Sequence, residues 1–150
     1  RSDFPEELID AYVVSQHSRI LLEAAKYHNL NRPIIMPRSK VERTLNLTNL
    51  NCEIWDYGLQ VEAKKFAMEP YGCILPYPLD IAYALSIATI GKAKKIFLVG
   101  FDGYGGDDPF PRDMVDMLKL YQQQQNIVTL IALTPSTYPV IKGSIYAPKI

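Results

Sequence analysis

Apolar and polar positions follow a regular pattern in the second half of the chain. The run Leu79–Ile90 is apolar on nearly every face of a helix, and Gly91 supplies a natural C-terminal stop. The continuous apolar run "KIFLV" over residues 95–99 is typical of a parallel strand covered on both faces. Apolar residues recur at helical spacing over 114–121, and "IVTLIAL" over 127–133 predicts another buried strand.

The first half carries shorter and less regular patterns. "AYVVS" over residues 11–15 predicts a short buried strand, and helical spacing of apolar residues predicts a helix from Ser18 to His28. "RPIIMP" predicts a second strand, because prolines suit strand ends rather than strand centres. We expect a brief helix over 38–47 and a hairpin of two exposed or edge strands around Gly58.

The order of these elements predicts the fold class. Strand and helix alternate with short connections, which implies right-handed crossovers and a parallel sheet between helices. We therefore expect an α/β fold, a Rossmann-like three-layer sandwich with a mostly parallel sheet of about five strands. The 150 residues suffice for one domain with a hydrophobic core and are too few for two.

Charge and composition exclude several classes of partner. Sixteen basic and sixteen acidic residues cancel, and no basic run is interleaved with aromatics, which argues against nucleic acid. We expect no membrane span, since no apolar run approaches about 20 residues, and no secretory leader is visible. The expected location is cytoplasmic, with Cys52 and Cys73 as reduced thiols.

The loop "GFDGYGGDDPFP", residues 100–111, is the principal candidate for a ligand site. Ligands of open α/β sheets collect outside the carboxyl ends of the strands, and this loop follows the most apolar strand. Gly100 and Gly103 would let the backbone approach a ligand and present N–H groups. Asp102 would accept hydrogen bonds from ribose or sugar hydroxyls, and Tyr104 would stack on a ring. The alternative is a simple turn, which Asp and Gly also favour.

Other residues give further candidates, each with a structural alternative. Asp107 and Asp108 are candidate Mg²⁺ or Mn²⁺ ligands, or else a solvated acidic corner. His17 and Arg19 follow the first strand in "SQHSR" and would bind an anionic group, unless they only surround a helix cap. Tyr138 follows the last strong strand on the ligand side, where a structural crossover is the alternative. No grouping typical of a catalytic triad or of paired carboxylates is present.

Two segments resemble known families. The segment "LDIAYALSIATIGKAKKIFLVGFDGYGGDD" resembles bacterial motility-accessory (DUF115-type) domains and the sialyltransferases that use CMP-sialic acid. With "LTPSTYPVIKGSIYAP" added, the chain looks closer to the C-terminal domain of bacterial 4-hydroxy-2-oxovalerate aldolase-like proteins, which accompany surface-polysaccharide (lipopolysaccharide) genes. The resemblance is most specific over residues 79–109 and weakest before residue 32.

The resemblance implies a domain that binds a nucleotide or a nucleotide sugar. Gly100, Asp102 and Tyr104 match the loop that meets the nucleotide sugar in those families. The parent protein would be a lyase, with its divalent metal in an N-terminal aldolase barrel. The chain opens "RSDFPEELIDAYVV" without an initiator Met, so we expect an excised C-terminal fragment that lacks this barrel and the first strand-turn.

Two alternatives to a binding domain stay open. The first is a sugar-nucleotide-dependent transferase of the DUF115 or sialyltransferase type, although both histidines, His17 and His28, precede the loop. The second is a homo-oligomerising domain that uses the apolar helix Leu79–Ile90 as its contact surface. If the chain is the binding domain described above, we expect no catalytic residue in it.

Overall fold

The computed structural model describes residues 5–28, 30–103 and 110–146, which contain four α-helices and nine strands. The helices are α1 (His17–Tyr27), α2 (Arg38–Val41), α3 (Asp80–Ile90) and α4 (Phe110–Gln122). The strands are β1 (Tyr12–Val13), β2 (Ile34–Met36), β3 (Ile54–Asp56), β4 (Gly58–Val61), β5 (Ala67–Glu69), β6 (Gly72–Leu75), β7 (Lys95–Leu98), β8 (Thr129–Ala132) and β9 (Ile141–Lys142).

The strands pair into three small sheets, each of three strands. The orders are β1-β2-β3, β4-β6-β5 and β7-β8-β9, and every pairing is parallel except that of β5 with β6. A mixed α/β fold with mostly parallel strands is therefore confirmed. The strand pairing does not form the single sheet of about five strands that the sequence predicted.

The hairpin predicted around Gly58 is wrong. β3 pairs with β2 and β4 pairs with β6, both in parallel, so the chain leaves one sheet for another at this residue. Gly58 and Gly72 face each other across β4 and β6, and a Cβ on Gly72 would lie 2.9 Å from the Gly58 carbonyl oxygen. These glycines let two backbones approach closely, a role that local patterns alone do not reveal.

Two hydrophobic cores lie against the first sheet. Ile34 and Met36 pack with α1 and α2 through Ile20 and Val41. Ile35, between them in the strand, belongs to the other core, which contains α3 and α4. Successive side chains of a strand point to opposite faces, so this sheet is covered on both sides.

Helix α3 is buried on several sides, as its apolar pattern predicted. It packs against β1, β5 and β6, and no residue from Leu79 to Ile90 is exposed. The surface proposed for homo-oligomerisation is therefore mostly used within the chain. None of the helices in the described ranges is long and apolar enough to cross a membrane.

The described residues cover strand β7 on one face only, so the prediction of two covered faces is wrong. Leu98 is buried in the same core as Met117 and Leu118 of α4. On the opposite face Phe97 is 40% exposed, and Val99, just beyond the strand, is 68% exposed. An apolar run shows that a strand is hydrophobic but does not show that a helix covers each face.

Candidate functional site

A cavity of about 460 Å³ opens where β1, β4 and β6 end. Its walls are the β1–α1 turn (residues 15–18), Leu59 and Val61 of β4, and the segment 77–79 that precedes α3. Lys40 of α2 and Asp113 of α4 complete the lining. Carboxyl ends of parallel strands are where α/β folds bind their ligands, so the position agrees with that rule.

The cavity has an apolar wall and a polar end. Leu59, Val61 and Tyr77 provide the apolar surface, whereas His17 and Lys40 provide groups that bind anions. Gln16, at the N-cap of α1, makes no capping hydrogen bond through its side chain. The amino-terminal end of α1 therefore adds partial positive charge beside the cavity.

Asp80 joins two walls of this cavity. Its Oδ1 accepts hydrogen bonds from the Ser15 backbone N–H at 2.8 Å and from the Ser15 hydroxyl at 2.6 Å. Its Oδ2 accepts from Arg19 Nη1 at 2.9 Å. The first residue of α3 thus fixes the β1–α1 turn, 61 to 65 residues away in the sequence.

Arg19 is held by carboxylates of the protein. Besides Asp80 it contacts Glu23, with 3.5 Å between Nε and Oε2. Burial alone would lower the pKa of Arg19, but the charges of Asp80 and Glu23 outweigh it and raise that pKa. Glu23 in turn accepts a hydrogen bond from Tyr27, whose pKa is raised to about 12, first by burial and then by this contact.

His17 lies in the cavity wall and bonds to a second turn. Its Nε2 forms a hydrogen bond with the hydroxyl of Thr44, which lies just after α2. Thr44 Oγ1 also lies 3.3 Å from the Val41 carbonyl oxygen, to which it donates. In the described part of the chain, neither Lys40 nor Asp113 forms an ion pair.

The beginning of the Gly/Asp loop is tied to the segment after β8. The Gly100 N–H donates to Thr134 Oγ1 at 2.9 Å, and that hydroxyl donates to Asp102 Oδ1 at 3.2 Å. The Asp102 carbonyl oxygen accepts from the Thr137 N–H at 3.0 Å. Asp102 is exposed, and one of its carboxylate oxygens is thus used within the protein.

Gly103 and Tyr138 have structural roles in the same region. Gly103 has φ +112°, and a Cβ built on it would lie 2.2 Å from Thr137 Oγ1. Tyr138 is buried, and its ring lies 4.6 Å from that of Phe101 between centroids. The Tyr138 side chain therefore has a clear role in the core, whereas the sequence predicted that it contacts a ligand.

The predicted site residues form two groups. Gly100, Asp102 and Gly103 meet the segment that carries Tyr138, whereas His17 and Arg19 lie at the β1–α1 turn. Asp113, in the helix that follows the Gly/Asp loop, lines the cavity with His17. Three predicted residues lie outside the described part of the chain: Tyr104, Asp107 and Asp108.

Sequence reasoning missed the residues that hold the cavity together. In the sequence Asp80 is only an acidic residue of the kind that suits a helix N-terminus, and no pattern distinguishes Lys40 or Thr44. Among the described residues no group of three His, Cys, Asp or Glu side chains is suited to a metal ion. Burial raises the pKa of the Cys73 thiol to about 11, which makes it a poor nucleophile.

Comparison with protein-family profiles, with curated proteins and with solved structures found no match to this chain. Membership of the families that the sequence resembles therefore stays a prediction, and it rests on the segments quoted above. Function has to be inferred from the cavity, its charges and its position at the carboxyl ends of parallel strands.

Proposed function

We propose that this domain binds a nucleotide or a nucleotide sugar in the cavity at the ends of β1, β4 and β6. We further propose that it is an accessory domain of a 4-hydroxy-2-oxovalerate aldolase-like lyase that takes part in surface-polysaccharide synthesis. The observation that carries the binding proposal is the junction of an apolar wall with the amino-terminal end of α1. Such a junction suits a ligand that has both a ring and a phosphate.

The two ends of the cavity suit the two ends of such a ligand. Phosphate oxygens would accept from backbone N–H groups of α1 and from Lys40, which has no carboxylate partner among the described residues. A base or sugar ring would lie against Leu59, Val61 and Tyr77. The volume, about 460 Å³, lies within the usual range for ligand pockets, about 300 to 1,000 Å³.

The Rossmann-like interpretation of the fold belongs to this proposal. Its support is the parallel order β1-β2-β3 with helices α1 and α3 on opposite sides, and a cavity at the carboxyl ends of the strands. Asp102 would supply a second contact, because its Oδ2 makes no hydrogen bond to the described residues. A ribose or sugar hydroxyl would donate to that oxygen.

The binding proposal is tested by titrating the 150-residue chain with CMP, UDP, ADP and their sugar conjugates. A ligand at one hundred times its Kd should raise the free energy of unfolding by about 2.7 kcal/mol, which a thermal melt detects. Lys40→Ala should weaken binding about tenfold through the lost charge-assisted hydrogen bond. The matched control is Lys65→Ala, since Lys65 pairs with Glu62 at 3.0 Å and lies outside the cavity lining.

A melt that no nucleotide shifts, in the wild type and in Asp102→Ala alike, would overturn the binding proposal. The sugar-nucleotide-dependent transferase is the second candidate, and the presence of His17 in the cavity wall favours it. Hydrolysis of a sugar nucleotide by this chain, lost in His17→Gln, would replace simple binding by that activity.

A further inference from the structure

A second cavity lies at the far ends of α3 and α4 from the first. The first cavity is lined by Leu79 and Asp113, near the beginnings of these helices, and the second by the turns that follow them. The second cavity has a volume of about 560 Å³. Ile90 and Ile127 give it apolar surface, and no Asp or Glu is among the described residues that line it.

Lys92 and Lys94 give the second cavity a positive charge and are not used to hold the fold. Both are exposed, and neither side chain forms a hydrogen bond or an ion pair with the described residues. The carbonyl oxygens near the end of α3 accept from backbone N–H groups of residues 91 to 93, so they do not need these lysines. Lys92 also has φ +60°, which is strained for any residue with a side chain. A charged side chain at a position that suits glycine indicates a role outside the fold.

The segment 6–10, "EELID", has the opposite character, and we call it the acidic segment. Glu7 and Asp10 are exposed, and Leu8 between them is 68% exposed. Neither of these two carboxylates bonds to the described residues. Glu6 instead holds the segment in place, because its carboxylate accepts from the Asn31 backbone N–H at 3.1 Å and from its side chain at 3.0 Å. The acidic segment therefore presents two carboxylates on either side of an exposed leucine.

The acidic segment and the second cavity lie at the same edge of the molecule. Asp80 bonds to Ser15 just beyond β1, so α3 begins at the carboxyl end of that strand. Since α3 packs against β1 and extends about 16 Å, it ends toward the amino end of the strand, beside the second cavity. The acidic segment directly precedes β1 and is at that end too. A two-fold symmetric dimer requires two complementary patches on one surface, because each copy then provides one patch and receives the other.

We propose that two copies of this chain form a two-fold dimer in which the acidic segment of each copy occupies the second cavity of the other. The two carboxylates pair with Lys92 and Lys94, and Leu8 lies against the apolar surface. The exposed carboxamides of Gln125 and Asn126 bond to the backbone of the segment, since they both donate and accept. Because exposed ion pairs each contribute little, the dimer is weak and reversible. This contact is independent of the nucleotide cavity, which lies at the other end of α3.

Sedimentation velocity over a concentration series tests the dimer. The wild type should shift from the mass of one chain toward that of two, and about 1 M NaCl should reverse the shift, because the Debye length then falls to about 3 Å. Leu8→Ser should weaken association about tenfold or more. The matched control is Leu22→Ser, which changes a leucine that is 86% exposed and does not line the cavity. Lys92→Gly should weaken association without lowering Tm, because it removes the charge and the backbone strain together.

Charge reversal tests which surfaces meet. The double variant Lys92→Glu with Lys94→Glu should be monomeric, because cavity and segment then carry like charges. The double variant Glu7→Lys with Asp10→Lys should be monomeric for the same reason. An equal mixture of the two should form a dimer again, since both contacts then join opposite charges. Lys119→Glu reverses an exposed charge outside the cavity lining and should leave association unchanged.

Three results would overturn the dimer. A wild type that stays monomeric at every concentration would do so, and would leave the second cavity to an acidic segment of another protein. Dimers that persist in both charge-reversed variants would show that other surfaces meet. A mixture of the two variants that stays monomeric would show that the cavity and the acidic segment do not bind each other.

Discussion

Two turns at the carboxyl ends of parallel strands are held in place by opposite means. In the β1–α1 turn the side chain of Asp80 accepts from Ser15 and Arg19, so the residues between them are left to line the cavity. After β7 the backbone itself is fixed, through positive φ at Gly100 and Gly103 and hydrogen bonds with residues 134 and 137.

The turn that is conspicuous in the sequence is therefore not the turn that lines the cavity. Glycines and aspartates mark the β7 turn clearly, yet much of their hydrogen-bonding capacity is used within the protein. The segment "SQHS" is ordinary as a sequence, yet all four of its residues line the cavity. Asp80 binds the two ends of this turn, Ser15 and Arg19, and the side chains of Gln16 and Ser18 between them make no hydrogen bond to the described residues.

The largest expected effect is that of Gly103→Ala. The new Cβ would lie 2.2 Å from Thr137 Oγ1, and φ +112° is strained for any residue with a side chain. Clash and strain together should lower the free energy of unfolding by about 3 kcal/mol, measured by urea denaturation. The control is Gly100→Ala, where φ is +69° but nothing lies within 4 Å of the added atom; it should cost only about 1 kcal/mol. Equal losses would show that crowding at Thr137 contributes nothing.

Asp80→Ala should have the next largest effect. It removes the acceptor of three hydrogen bonds and leaves Ser15, which is only 4% exposed, with an unpaired N–H. The expected loss is about 2 kcal/mol of unfolding free energy, because a buried donor without a partner is costly. Nucleotide binding should weaken as well, since Asp80 joins two walls of the cavity.

Asp56→Ala is the control for the loss of unfolding free energy expected in Asp80→Ala. Asp56 is exposed and accepts one bond at 2.9 Å, from the backbone N–H of Arg38 at the start of α2. Its removal should cost about 1 kcal/mol, as for other helix caps, and leave nucleotide affinity unchanged. If Asp80→Ala costs no more than Asp56→Ala, Asp80 does not hold the turn in the manner described above.

Local patterns predicted the elements better than their pairing. The helix predicted over Leu79–Ile90 is α3, Asp80–Ile90, and the strand predicted over 127–133 contains β8. Strands β5 and β6 were missed, because "FAMEPYGCIL" breaks its apolar pattern with Pro70 and Gly72. Which strands pair depends on contacts between distant residues, so three sheets formed where a single sheet was expected.

The same limit applies to the site. His17 was identified from its place after a strand, but its partner Thr44 lies 27 residues away, and Ser15 lies 65 residues from Asp80. No spacing rule connects residues at such separations, because only the packing of α2 and α3 brings them to the turn. Sequence could therefore predict a candidate ligand site at this end of the strands, without showing how the cavity is built.

A last comparison, that of Thr134→Val with Ser15→Ala, decides whether the two turns form one site. Valine keeps the shape of threonine but loses the bonds to Gly100 and Asp102, for about 1 kcal/mol of unfolding free energy. If Asp102 is the second contact proposed above, nucleotide affinity should fall in Thr134→Val, whereas if the turns act separately it should change less than about twofold. Ser15→Ala, which removes a hydroxyl bonded to Asp80 at 2.6 Å, should weaken it more. Equal weakening by both variants, measured by the ligand-induced shift in Tm, would mean that Asp102 and the cavity hold the same ligand.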